Sequence, residues 1–214
     1  MSCAFDLEHY GEVLQAARAG GYRFGRFEGE PEPGRVYLRH DVDLSLAAAV
    51  RMGELEAEAN VTATYFLMSE SVFYNLASRE GAAAVSRLLE LGHDLGAHAV
   101  WPAVPERHDR FAPVLAWHNP EPQYMTAPVD GFLNVMVEPW FTQGLYRSDS
   151  NQQWRSGCPH EELARGDFEW LHLLTHPEIW VYPGATMGET MRSMLDAERE
   201  RRLTQLGEDR IDLS

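Results

Sequence analysis

A chain of 214 residues with 44% apolar and 11% aromatic side chains is long enough to bury a single core. Its net charge of −15 argues against nucleic acid or an anionic membrane face as partner, and no apolar run reaches the ~18 residues of a membrane span. The chain has no lysine, which excludes Schiff-base, pyridoxal-phosphate and P-loop lysines and weighs against a phosphotransferase.

The first residues, Met1 to Asp6, lack a basic segment followed by an apolar one, so no signal peptide is expected and a cytoplasmic location follows. Cys3 and Cys158 offer neither a disulfide framework nor metal-type spacing. Asp6 to Gly20 reads as an amphipathic helix, with Tyr10, Val13, Leu14 and Ala17 at helical spacing. Val36 to Leu38 is apolar and β-branched or aromatic, and predicts a strand running through Asp41 into a second helix, Leu46 to Ala59, capped by Ser45. Val61 to Met68 is the next strand, Phe73 to Leu91 the next helix, and His93 to His98 a short strand. This β-α-β-α-β alternation implies a parallel sheet with helices outside, whose sites lie at the carboxyl ends of the strands.

From Pro102 to Pro128, six prolines break the chain into short pieces. Val114 to His118 and Phe132 to Val137 are expected strands, Tyr146 to Arg155 a polar loop, and Leu171 to His176 a final strand stopped by Pro177. A charged helix of about 185–206 closes a single domain, 1–214, with no repeat or linker.

Asp41 and Asp43 point to one side of their strand while His40 and Val42 point to the other. Two carboxylates so close repel unless a cation sits nearby, and a divalent metal gives them separate jobs, one as ligand and one as base. The plainer alternative is a pair of solvated, helix-capping aspartates. His98 and His176 each end a strand and suit a ligand or a general acid, against the alternatives of a turn histidine and a core histidine. His118 fits the same picture more weakly, and His40 is expected to bond the scaffold. His9, His108, His160 and His172 read as surface or packing residues. Trp154 suits either a sugar face or a loop anchor.

Taken together these residues resemble the polysaccharide deacetylase family. The matching runs are Arg39-His40-Asp41-Val42-Asp43, Gly92-His93-Asp94-Leu95-Gly96-Ala97-His98 and Leu174-Thr175-His176, in family order. Trp117-His118-Asn119-Pro120 and Ser148-Asp149-Ser150 with Trp154 fall where the family has its middle motifs. His176 to Trp180, His-Pro-Glu-Ile-Trp, points to a divergent branch. The resemblance implies an α/β fold, a distorted (β/α) barrel with fewer than eight strands. It also implies a divalent metal, zinc by preference, with Asp43 and His98 as ligands; the third position is left to His118 or to a water, the alternatives being an empty site or another metal. Asp41 would be the base and His176 the acid, with Trp117, Asp149, Trp154 and Arg155 binding substrate. Pro102 stands where the family carries a second histidine ligand, and the family arginine is replaced at His118. The implied reaction is metal-dependent removal of an acetyl group from an N-acetylated sugar or related carbohydrate intermediate. The alternatives are a catalytically degenerate carbohydrate-binding barrel and a hydrolase of another non-peptide C–N amide bond.

Overall fold

A computed structural model describes residues 3–103 and 105–208. Residues 1–2, 104 and 209–214, which the expected domain also takes in, lie outside the described residues. Asp6 caps the first helix, α1 (Leu7–Ala19), by accepting from the His9 N–H at 2.8 Å. A short strand, β1 (Arg23–Gly25), precedes β2 (Arg35–Val42), and Ser45 then caps α2 (Leu46–Glu58). The alternation continues through β3 (Thr64–Met68), α3 (Arg79–Glu90) and β4 (Asp94–Ala99). After it come β5 (Val114–Trp117), β6 (Leu133–Asn134) and β7 (Tyr146–Ser148), a 3₁₀ turn at Ser150–Gln152 and α4 (His160–Arg165). The described chain ends with β8 (Leu171–Thr175), α5 (Pro177–Val181) and α6 (Met187–Glu208).

Every strand pair is parallel, and the order β6-β5-β4-β3-β2-β8-β7 curls into a half-barrel. That path has seven strands, in line with a barrel of fewer than eight. β1 is an eighth, lying off the path beside the start of β2. β2 lies inside the sheet, paired to β3 on one edge and β8 on the other, and is buried along almost its whole length. Its alternation divides the interior. Val36, Leu38 and Val42 join the core beneath α1 and α2, whereas Tyr37 joins a second core with Phe66, Trp140 and Trp170. Gly96 makes the inner packing possible, because a Cβ there would stand 2.8 Å from the Phe66 ring and from a Val114 methyl.

Several boundaries differ from the sequence reading. Phe73 to Ser78 is not helical, because the Ser78 hydroxyl accepts from the Gly81 N–H at 3.0 Å and sets the start of α3 there. The expected strand Phe132 to Val137 shrinks to the two residues of β6. Tyr146 to Ser148, expected in a loop, pairs with β8 instead. Pro177 does not stop the chain but opens α5, at a position where its missing N–H costs nothing. No helix among the described residues is long and apolar enough to cross a membrane.

Candidate metal centre

Asp41 is the last residue but one of β2, Asp43 follows the strand, and His98 lies near the end of β4. His118 follows β5, Asp149 follows β7 and His176 follows β8. Six chemical groups thus arrive at the carboxyl ends of five parallel strands of one sheet, with β3 between β4 and β2 contributing none, where such sheets place their sites.

Three donor atoms crowd together. His98 Nε2 and His118 Nδ1 each stand 3.0 Å from Asp43 Oδ1, and the two nitrogens are 3.2 Å apart. The His98 Nδ1 faces the Ala116 carbonyl oxygen at 2.8 Å. A carbonyl only accepts, so Nδ1 carries a proton, and Nε2 faces the Asp43 carboxylate either as the second N–H of an imidazolium or, beside a cation, as a bare lone pair. Two acceptors at that distance need a positive centre between them. A proton on His118 Nδ1 supplies one, and His118 is accordingly raised above its ordinary value, chiefly by its hydrogen bond to Asp43. A divalent cation supplies the other. With a cation on Nδ1 the His118 proton moves to Nε2, where Asn119, whose amide nitrogen lies 3.2 Å away, would turn its oxygen toward it. Burial would push the Asp43 carboxyl up, but His118 and His98 outweigh it and hold it well below the usual carboxylate range. One carboxylate and two imidazoles are a donor set for a first-row divalent metal such as zinc.

Asp41 has a different environment. The Arg39 guanidinium, two residues back on the same strand face, grips both its oxygens, Nε to Oδ1 at 2.7 Å and Nη2 to Oδ2 at 2.6 Å. Burial opposes ionisation, but Arg39 and then His98 outweigh it and keep the carboxyl below its ordinary value. The cation that the close carboxylates demand is therefore partly internal. Arg39 was legible from the same period-two alternation that pairs Asp41 with Asp43.

His176 is held by Asp149, whose carboxylate accepts from the His176 ring Nδ1 at 2.6 Å, the His176 N–H at 2.9 Å and Trp180 Nε1 at 2.7 Å. Asp149 is fully buried, so it positions an imidazole and offers nothing to a ligand from solvent. Burial penalises the His176 imidazolium, yet Asp149, Asp41 and Asp43 raise its pKa to about 10. The other His176 nitrogen, Nε2, lies 3.9 Å from Asp43 Oδ2. Glu178, one helical step behind, is buried with no hydrogen-bond partner for Oε2 among the described residues, and burial pushes it up to about 8.

Behind the strand ends His40 bonds the scaffold, as its outward position requires. Its Nδ1 meets Thr175 Oγ1 and its Nε2 meets Glu56 Oε1, both at 2.7 Å. Glu56 also accepts from the Tyr10 and Tyr65 hydroxyls at 2.5 and 2.7 Å.

The remaining residues assigned to substrate lie apart from this cluster. Trp117 is buried, edge-on to Trp101, with its indole N–H toward the Ala127 carbonyl oxygen. Trp154 packs on Phe5 and Trp180 beneath α1, which is the loop-anchor alternative. Arg155 is exposed and forms no hydrogen bond or ion pair among the described residues. A cleft of about 510 Å³ on the β3 and β4 side touches the centre at His98 and is lined also by Met68, Glu70, Val100, Arg107 and Phe111. Its size is that of a small-molecule site.

Fold and centre together define a parallel α/β half-barrel with a histidine–carboxylate cluster at its strand ends that could hold a metal ion. Comparison with protein-family models, with curated proteins and with solved structures finds no match to this chain.

Proposed function

We propose that this half-barrel is a metal-dependent amidohydrolase that removes an acetyl group from an N-acetylated sugar or a related carbohydrate intermediate. The observation that carries the reading is the triangle of Asp43 Oδ1, His98 Nε2 and His118 Nδ1, with Asp41 on one flank and the Asp149–His176 pair on the other. His118 supplies the third donor that Pro102 cannot. Those three residues would hold the ion, zinc by preference. When bound it polarises a carbonyl and lowers the pKa of water.

The chain's own groups do the rest. Asp41, its carboxylate fixed by Arg39, has one further lone pair on each oxygen and takes the proton of the attacking water. Arg39 makes it a weak base, one that would need the acidity the bound ion supplies. His176, charged and oriented by Asp149, gives its Nε2 proton to the departing amine. The cleft below Val100 and Phe111 receives the sugar. The deacetylase-like character of the barrel rests on the three motif runs in family order.

The test follows acetate release from N-acetyl sugars by the purified chain, stripped by chelator and reloaded with zinc, cobalt or manganese. Release that needs the added metal is expected. No release under any metal overturns the reading. The Arg39 grip on Asp41 favours a second reading, a sugar-binding barrel without turnover. It would show as ligand binding indifferent to chelator and to Asp41→Asn.

A further inference from the structure

On the helical side of the sheet, three more side chains from distant parts of the sequence meet. Cys3 precedes α1, His9 lies in its first turn, and Cys158 precedes α4. His9 Nε2 stands 2.8 Å from Cys3 Sγ and 3.3 Å from Cys158 Sγ, and all three donor atoms lie within 4.8 Å of one another.

The tautomer of His9 is set. Its Nδ1 meets a Glu12 carboxylate oxygen at 2.7 Å, so Nδ1 carries the proton and Nε2 presents its lone pair to both sulfurs. A carboxylate behind an imidazole whose other nitrogen faces soft donors is the support that metal-bound histidines usually have. The Trp154 indole N–H donates to Cys3 Sγ at 3.2 Å, a hydrogen bond that suits a thiolate. The cluster opens on a cavity of about 720 Å³ that His160 also lines, its ring 5.4 Å from that of His9.

We propose that Cys3, His9 and Cys158 form a thiolate-rich zinc site, separate from the Asp43 centre, with its fourth position open to this cavity. Two sulfurs and an imidazole select a soft or borderline cation over magnesium or calcium. Each thiol loses its proton to solvent as the ion enters, and the two thiolates cancel its charge, so the half-buried site gains no net charge. Tetrahedral zinc would set each sulfur about 3.6 Å from the nitrogen. Cys158 is a few tenths of an ångström short of that, and Cys3, on a short segment ahead of α1, has the larger adjustment to make. The ion would tie this segment to the turn before α4.

The reduced full-length chain carrying Asp43→Ala is titrated with cobalt(II) alone and then with zinc. Binding of a single cobalt ion with thiolate-to-cobalt charge-transfer absorption, displaced by zinc, is the expected result. Cys158→Ser on that background should abolish the absorption, and Glu12→Gln should weaken cobalt binding by about 10–100-fold. In the wild-type chain, zinc should protect both cysteines from alkylation, and chelator should restore their reactivity. The proposal fails if the reduced chain shows no thiolate absorption, or if Cys158→Ser leaves it unchanged. Alkylation at an equal rate with and without zinc, or a Cys3–Cys158 disulfide that forms in place of metal binding, also overturns it. Because Asp43→Ala removes the first centre, loss of that centre's activity does not affect these readouts.

Discussion

A single residue separates Asp41 from Asp43, yet their carboxylates are stabilised by different partners. Arg39 neutralises the first, and two imidazoles converge on the second. Asp43→Ala should therefore lower the metal content by one ion per chain, measured after gel filtration. Asp41→Asn should retain the metal and lose turnover. Asp149→Asn leaves His176 in place but removes the charge that holds its proton and ring orientation. A loss of about 10²–10⁴-fold in kcat with little change in metal content is expected, the range associated with a positioned acid. Equal loss of metal in all three variants would contradict this division of labour. The residues that make the division were unevenly legible. Period-two alternation placed Asp41 and Asp43 on one face and His40 on the other, but Arg39 obeys the same period and received no role. Asp149 was assigned to substrate because burial is invisible in a sequence, and a buried aspartate reads there like an exposed one.

At the level of elements, strong local signals survive folding and weak ones yield to pairing partners. β2 and β3 announce themselves by β-branched and aromatic content, β4 (Asp-Leu-Gly-Ala-His-Ala) only by its place in the alternation, and Asp6 and Ser45 cap the helices they precede. β7 does not, because Tyr146, Arg147 and Ser148 carry polar side chains and become a strand only beside β8. Phe132 to Val137 has strand-like content but meets β5 over two residues alone. The inner face of the half-barrel also depends on a small residue at Gly96. Gly96→Ala should cost about 1–3 kcal/mol through overpacking against Phe66 and Val114, read from the urea midpoint. A neutral substitution would mean that β3 and β4 are less closely packed than described. Glu56→Ala should be costlier, about 3–5 kcal/mol, since it strips the acceptor from two buried tyrosine hydroxyls and the partner from the buried His40 Nε2.

Across the whole molecule, convergence is what a linear reading sees least. The strand-end cluster was anticipated because a parallel sheet collects its carboxyl ends on one rim. Nothing in the chain's pattern brings Cys3 to Cys158, which meet only because α1 packs on α4. The buried interior also leaves a signature in the pH dependence of stability. His172 is fully buried, its Nδ1 donates to the Trp140 carbonyl at 2.9 Å, and burial, then Arg39, lowers its pKa to about 3. In the unfolded chain it titrates near its ordinary value of 6.5. The unfolded state therefore binds the extra proton between those values. The contribution of His172 is complete above pH 6.5 and is lost as the pH falls toward 3, at about 1.4 kcal/mol per pH unit. His176, raised to about 10, has the opposite sign, so the test is a difference. Between pH 7 and pH 5, wild type should lose about 2 kcal/mol more than His172→Gln in urea unfolding. Parallel pH profiles would refute a neutral buried His172.

The claim on which the functional account stands is that a cation binds where Asp43, His98 and His118 meet. Crystals grown with zinc and measured on both sides of its absorption edge test it directly. The account predicts an anomalous peak bonded to Asp43 Oδ1, His98 Nε2 and His118 Nδ1, with Asp41 outside the coordination shell. An occupied zinc elsewhere in the same crystal, with His118 hydrogen-bonded to Asp43 and no peak between them, would contradict it.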